Sequence, residues 1–349
     1  MNLSLAIATH NEEQNIADCI VSCKGLVDEI IVVDGSSTDK TADLARQNGA
    51  KVISAQNEHM FHTNKQKAID ACSGDWILQL DADERVTPEL AEEIKRIISM
   101  TNEEIAEYQS GLKEEELFRR HQKLVQKHVI STEVSMGERS GEILRSLDSF
   151  ETAQDKFARD DKQHNPTHYP LPAITYNAFF IPRLNFFLGG YLRHGGVYPD
   201  GVIRLFKKGK AHLPCKNVHE LMEVEGKTGW LASPLIHKDS PTFARYLERN
   251  SRYIDHLVEE LKHRHSKLAT SVMPNSVRHL NRDPDIRRDD TMGDKIHLFV
   301  TWVFIKPTVT FFSLLILHKG ILDGWRGIVF AFFSAIRFAR AYGRYTMKG

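Results

Sequence analysis

The sequence predicts an α/β fold built on a doubly wound, mostly parallel sheet. Three observations carry that expectation. Short apolar, β-branched runs alternate with helical patterns through the first hundred residues. Each run ends on a polar or acidic cluster of the kind that gathers beyond the C-terminal ends of parallel strands. The length of 349 residues gives enough chain to bury a large core.

Leu3–Ala8 reads as a buried strand, followed by Asn11 as a cap for a helix from about Glu13 to Lys24. Glu29–Val33 is the second strand and ends at Asp34-Gly35-Ser36-Ser37. Thr38 or Asp39 can cap a helix reaching about Asn48, with Gly49 as its stop. Lys51–Ser54 is a third strand, a helix runs from about Thr63 to Cys72, and Trp76–Leu80 delivers Asp81-Ala82-Asp83-Glu84. Pro88 opens a further helix to about Ile98.

Between about 100 and 172 the chain becomes rich in charge, and its apolar residues fall at helical spacing, which predicts a solvent-facing helical insertion. Short strands return at Ala178–Ile181 and Val202–Phe206. Phe243–Leu261 reads as a helix, and about 265–292 as a polar connector. The expected domains are 1–240, 241–294 and 295–349.

Composition removes several classes. Lys plus Arg and Asp plus Glu both number 46, so no basic excess holds nucleic acid, and none is expected as a partner. Cys19, Cys23, Cys72 and Cys215 form no CxxC pair, and the first two read as small core residues of one helix face. No basic lead precedes Leu3–Ala8, so no signal peptide is expected, and a cytoplasmic setting follows.

Asp81 and Asp83 stand two residues apart just past a buried run, so both can enter one polar cleft. Oxygen ligands of this type suit Mg²⁺ or Mn²⁺, which keep positions open for phosphate oxygens, although the same pair also serves as an ordinary turn. Asp34 can accept from ribose hydroxyls or a base N–H, or simply close its own turn. Neither GxGxxG nor GxxxxGK[ST] is present, which speaks against dinucleotide and P-loop sites and leaves a nucleotide diphosphate held through a metal.

These residues stand in segments that together resemble family 2 glycosyltransferases of the GT-A fold, and within them the branch similar to lipopolysaccharide-core β-1,4-glucosyltransferases. The segments are "LAIATHNEEQNI", "DEIIVVDGSSTDKTADLA", "GDWILQLDADERVTPEL", "PRLNFFLGGYLRHGGVYPDGVIRLFKKGK" and "VHE". The resemblance implies inverting, metal-dependent transfer of a hexose from a UDP- or GDP-type donor. It maps the nucleotide onto Thr9, Glu12 and Asp34, and the metal-bound diphosphate onto Asp81 and Asp83.

Inverting displacement needs a carboxylate to deprotonate the acceptor hydroxyl. Glu220 occupies the position of the family's acidic base, with Asp200 as the alternative. His237 either completes the metal shell or is a structural histidine, and Lys65, Lys67 and Arg204 are candidates to neutralise phosphate. The expected acceptor is a lipid-linked saccharide of the cell envelope. A polyprenyl-phosphate acceptor and a non-catalytic membrane-bound saccharide-binding role are the competing readings.

Ile296–Leu317 approaches the ~20 apolar residues that span a bilayer, but Lys306-Pro307 interrupts it. Trp325–Tyr345 follows, with Arg337, Arg340 and Arg344 expected on one stripe. The pattern predicts helices lying on the cytoplasmic face of the cell membrane, drawn to anionic lipid, with a transmembrane hairpin or an ordinary pair of core helices as the alternatives.

Overall fold

A computed structural model of the chain describes residues 2–58, 60–112, 175–215, 222–271 and 292–347. It divides into two compact units, Met1–Arg183 with Pro199–Leu235, and Leu184–Tyr198 with Ile236–Gly349.

In the first unit, strands β1 (Leu3–Thr9), β2 (Glu29–Asp34), β3 (Lys51–Ser54) and β4 (Trp76–Asp81) form a parallel half-sheet in the order β3-β2-β1-β4. Three helices connect them: α1 (Ile16–Ser22), α2 (Thr41–Gln47) and α3 (Phe61–Asp70). The strand β5 (Glu84–Val86) follows the Ala82-Asp83 turn. Helices α4 (Pro88–Ser99) and α5 (Asn102–Leu112) come next. Beyond β4 the sheet changes sense. β6 (Tyr176–Phe187) and β8 (Asp200–Lys207) are antiparallel to each other, and β8 is antiparallel to β4. The sheet is therefore mixed, because β8 and β6 are joined through the short β7 (Gly190–Tyr191) and its turns rather than by a helical crossover. Two small strands, β9 (Ala211–His212) and β10 (Glu223–Val224), pair with each other, and β11 (Lys227–Trp230) runs parallel to β6.

Strand alternation sorts the core into two layers. Leu3, Leu5 and Ile7 pack with Ile16, Ile20, Leu90, Ile94 and Ile97 on one face. Ala6, Ile31, Val33 and Ile77 meet Ala68, Ile69 and Cys72 of α3 on the other. Helices thus cover both faces, as a doubly wound sheet requires. Before β4 the chain passes so close to β1 that a Cβ on Gly74 would stand 2.7 Å from Ser4 Oγ.

One helix starts later than the sequence reading has it. α1 starts at Ile16, because Asn11 has φ +54° and spends its side chain across the loop, accepting from the Thr38 amide at 2.8 Å. Glu12 O accepts from the amides of Asn15 and Ile16 instead, closing a turn. Cys19 and Cys23 are both buried beside that helix, as expected. α5 accounts for the start of the charged insertion, and 113–174 lies outside the described residues.

In the second unit, β12 (Leu235–Ser240) leads to α6 (Phe243–Ser271), which continues well past the expected Leu261. α7 (Met292–Val300) runs through π-helical turns at Thr301–Ile305 into α8 (Lys306–Phe312) and Ser313–Leu317. A 3₁₀ turn, Gly320–Asp323, precedes α9 (Trp325–Met347). Ile254, Val258 and Leu261 of α6 pack with Trp302 and Ala341, while Tyr246 packs with Phe187 and Leu192. The turn is tight: a Cβ on Gly327 would sit 1.8 Å from Gly320 O, and one on Gly320 would sit 2.6 Å from Leu314 O.

Candidate active site

Parallel register brings the predicted acids to one edge of the sheet. Thr9 is opposite Asp34, and Ala8 is opposite Asp81, so the ends of β2, β1 and β4 present Asp34, Thr9 and Asp81 side by side. Adjacent strands lie about 5 Å apart, close enough for one ligand to touch all three.

Two loops extend this edge. Asp34 is buried and accepts from both the Ser37 hydroxyl (2.5 Å) and the Ser37 amide (3.1 Å), which fixes the turn after β2. Gly35 N donates to Thr9 O at 2.8 Å. Glu12 receives Asn15 Nδ2 at 2.7 Å, and its amide donates to Thr41 Oγ1 at 2.8 Å. Asn11 and Ser36 both adopt left-handed backbone, at φ +54° and +58°. Such strain costs about 1–3 kcal/mol per residue and persists only where surroundings enforce it. Here Ser37 Oγ accepts from the Asn11 amide, and Ser36 Oγ donates to Ala55 O.

Asp81 sits between two cations. Lys65 Nζ lies 2.5 Å from Oδ1, and Arg204 Nη2 donates to Oδ2 at 2.6 Å. Burial opposes ionisation, but Arg204 and then Lys65 overcome it and hold the carboxyl well below its ordinary range. Arg204 also donates to Gln79 Oε1 at 2.5 Å and to the fully buried Glu84 at 2.7 Å. Burial works against its charge too, yet Asp81 and Glu84 raise its pKa further. Glu84 in turn accepts from the Asp81 amide at 2.9 Å. Arg183 completes the group, 3.5 Å from Glu84 and forked onto Asp200 at 2.7 and 3.0 Å.

Asp83 lies half-buried in the turn between β4 and β5. Arg85 braces that turn, donating to Ala82 O at 2.7 Å and Asn15 O at 2.9 Å. Thr9 Oγ1, Arg85 Nε and Arg204 Nε are buried without hydrogen-bond partners, three of the four such side-chain atoms among the described residues. Unmet polar groups, at about 1–3 kcal/mol each, are therefore concentrated at this edge.

Lys67 points elsewhere. Two residues along a helix from Lys65, it faces the opposite way and meets Asn64 Oδ1 at 3.2 Å and Glu58 at 3.3 Å. Asp200 starts β8 in the Arg183 fork. His237 belongs to the second unit, buried with Nδ1 2.7 Å from Asn185 Oδ1. Glu220 lies outside the described residues.

Glu84, Arg85 and Arg183 were not singled out in the sequence. Arg204 carried the available signal: a cation between Val202-Ile203 and Leu205-Phe206 must be buried in a strand, and a buried cation demands an acid.

Residues 4–158 match the model of glycosyl transferase family 2, a span that includes β1 to β4 and the Asp81–Asp83 turn. Over that span the chain is similar to family 2 glycosyltransferases. Its parallel half-sheet followed by antiparallel strands, with helices on both faces, is the GT-A arrangement. Among curated proteins, an uncharacterised glycosyltransferase of Rickettsia felis is 44% identical over 102 residues, covering 29% of this chain and 36% of that one. The lipopolysaccharide core biosynthesis glycosyltransferase LpsC of Rhizobium meliloti is 33% identical over 105 residues, covering 29% and 38%. The chain thus spans about a third of the length of the curated relatives it matches. Among solved structures, glucosyl-3-phosphoglycerate synthase of Mycobacterium tuberculosis, in complex with Mn²⁺, UDP and glucosyl-3-phosphoglycerate, is 31% identical over 24% of this chain and 34% of that one, with a TM-score of 0.21.

Proposed function

We propose that the protein is an inverting glycosyltransferase that moves a hexose from a nucleotide-diphosphate donor to a lipid-linked saccharide of the cell envelope. The observation that supports this reading most is the alignment of Asp34, Thr9 and Asp81 on adjacent parallel strand ends, with Asp83 in the next turn. The family match and the likeness to a lipopolysaccharide-core enzyme add the reaction class and the envelope acceptor.

The donor set fits a divalent cation of the Mg²⁺ or Mn²⁺ type. It offers carboxylate oxygens alone, from Asp81 and from Asp83, which is half-buried in the next turn. Among the described residues no cluster of three His, Cys, Asp or Glu forms a protein cage. That accords with cations which take one or two carboxylates and complete their shell with phosphate and water. Asp83, assisted by Asp81, would hold the cation, which when bound supplies Lewis-acid stabilisation of the leaving diphosphate.

The remaining roles belong to the chain. Asp34 and Glu12 accept from the nucleoside, and the Thr9 backbone sets the floor beneath it. Lys65, already beside Asp81, adds a positive charge where the diphosphate charge develops. Glu220 removes the proton from the acceptor hydroxyl.

The test is turnover of UDP- and GDP-hexoses by the purified full chain, with envelope lipid extract as acceptor and with Mn²⁺, Mg²⁺ or chelator. Sugar transfer that requires the metal and is lost in Asp83→Asn is the expected result. Absence of both transfer and donor binding across the panel would overturn the proposal. Glu220→Gln distinguishes the acceptor: a severe loss accords with a hydroxyl, and near-normal rates with a phosphate.

A further inference from the structure

The helices after Ile296 bury Trp302 but turn many other large apolar side chains outward. Of the twenty large hydrophobic residues exposed among the described residues, fourteen fall between Ile296 and Phe332. Val309, Leu317 and Leu322 are 62%, 77% and 65% exposed. Ile296–Leu317 is long and apolar enough to cross a membrane by length and composition, yet only 6% of its most apolar window is buried inside the protein. A contiguous apolar surface of this size marks a protein or membrane contact.

Charge decides between those partners. From Ile296 to Gly349 the chain has seven Lys and Arg and a single acid, Asp323. Asp323 is turned inward, accepting from the amides of Arg193 and His194 and pairing with the His194 ring at 2.9 Å. Arg337, Arg340 and Arg344 follow i, i+3, i+7 spacing on the continuous helix α9, as expected, but they differ in exposure and partners. Arg344 is spent on Asp255 and Ser251. Arg337 is half-buried against Phe338. Arg340 is exposed and ends the outward row Trp325, Ile328 and Phe332. Lys319 is exposed at the turn. A second copy of this surface would set these cations against each other, whereas an anionic surface neutralises them.

Lys306 decides orientation. It stands midway along Ile296–Leu317, followed by Pro307, with Nζ 3.4 Å from the Trp302 ring centroid and 5.4 Å from that of Phe338. Spanning would place this cation near the middle of the hydrocarbon, where charge is costly. Lying in the plane leaves it on the protein side, against its own aromatic partners.

We propose that the outward face of α7, α8 and the start of α9 lies in the headgroup plane of an anionic phospholipid bilayer, with Lys319 and Arg340 at lipid phosphates. The inference is independent of the transferase chemistry and goes beyond it.

The experiment is co-flotation of the purified full chain with vesicles of phosphatidylcholine alone or with phosphatidylglycerol added. Binding that favours the anionic vesicles and falls with salt is expected. Lys319→Glu and Arg340→Glu each weaken it, roughly fivefold per cation. Phe312→Asp with Leu317→Asp, both at exposed positions, abolishes flotation while circular dichroism and donor binding stay unchanged. No flotation, or flotation indifferent to lipid charge, would overturn the proposal. So would a lipid-independent oligomer that Phe312→Asp dissolves, which indicates a second copy. In cell membranes, Lys319→Cys should react with an impermeant thiol reagent from the cytoplasmic side; labelling only from the opposite side means that the chain crosses, and the proposal fails.

Discussion

Arg85 Nη1 donates to the carbonyl oxygen of Ala82 at 2.7 Å, so the peptide between Asp81 and Asp83 is held by a guanidinium from the strand that follows. The other arm of that guanidinium reaches Asn15 O, and Asn15 Nδ2 reaches Glu12. One side chain therefore links the proposed nucleoside end of the site to the proposed diphosphate end.

Arg85→Lys keeps the charge but cannot fork. It should raise the Mn²⁺ concentration for half-maximal transfer by about 10–100-fold, as loss of a supporting shell does. Arg85 also has packing duties, so thermal stability is measured in parallel. An unchanged metal requirement with lowered stability would show that Arg85 is structural only.

Arg204 neutralises Glu84, which has no exposure at all. Arg204→Met should destabilise the protein by about 3–5 kcal/mol, because a buried carboxylate loses its main partner. Adding Glu84→Gln should restore at least about 1 kcal/mol, since the two side chains act as one unit. Urea denaturation of the two singles and the double supplies the cycle; strictly additive losses contradict the coupling.

Arg183 Nε and Nη2 both donate to Asp200 Oδ2, which ties this carboxylate to β6. Glu220→Gln should lower kcat by about 10²–10⁴-fold, the range of a general base. Asp200→Asn should cost far less. Equal losses in the two variants would transfer the role to Asp200 or divide it.

Thr87 caps α4, its Oγ1 accepting from the Leu90 amide at 3.1 Å and donating to Pro234 O at 3.3 Å. Thr87→Ala should cost about 1 kcal/mol in denaturant, with transfer rates preserved. A larger loss would mean that the Pro234 contact outweighs the cap.

Burial pushes the thiols of Cys23 and Cys72 up to about 12 and raises Cys19 well above its ordinary value. Only the thiolate reacts, so below about pH 11 these three should resist alkylation in the folded protein. Mass spectrometry after iodoacetamide at pH 8 should find modification confined to Cys215; rapid labelling of Cys72 would show that its layer opens.

The parallel half-sheet was legible because each strand announces itself locally. Leu3–Ala8, Glu29–Val33 and Trp76–Leu80 are apolar runs closed by polar turns, and position alone puts Asp34 and Asp81 at strand ends. What escaped the sequence depends on distant pairing. Glu84 looks like one more acid of a polar turn until β8 supplies Arg204 from 120 residues away. The sense of β8 is likewise set by its neighbours rather than its own composition, since Val202–Phe206 would suit either direction. The start of α1 was missed for a local reason: a cap needs a free side chain, and that of Asn11 is already bound to Thr38.

At the turn into α9, a methyl on Gly327 has nowhere to go, because Gly320 O already fills its place. Every amino-acid replacement at that position adds a Cβ and parts two backbones, while Ile321 and Leu322, both exposed, can exchange with other aliphatics freely. Selection therefore acts most severely here on a residue with no chemical group to offer, and a lineage of such chains should keep Gly327 while its exposed neighbours drift.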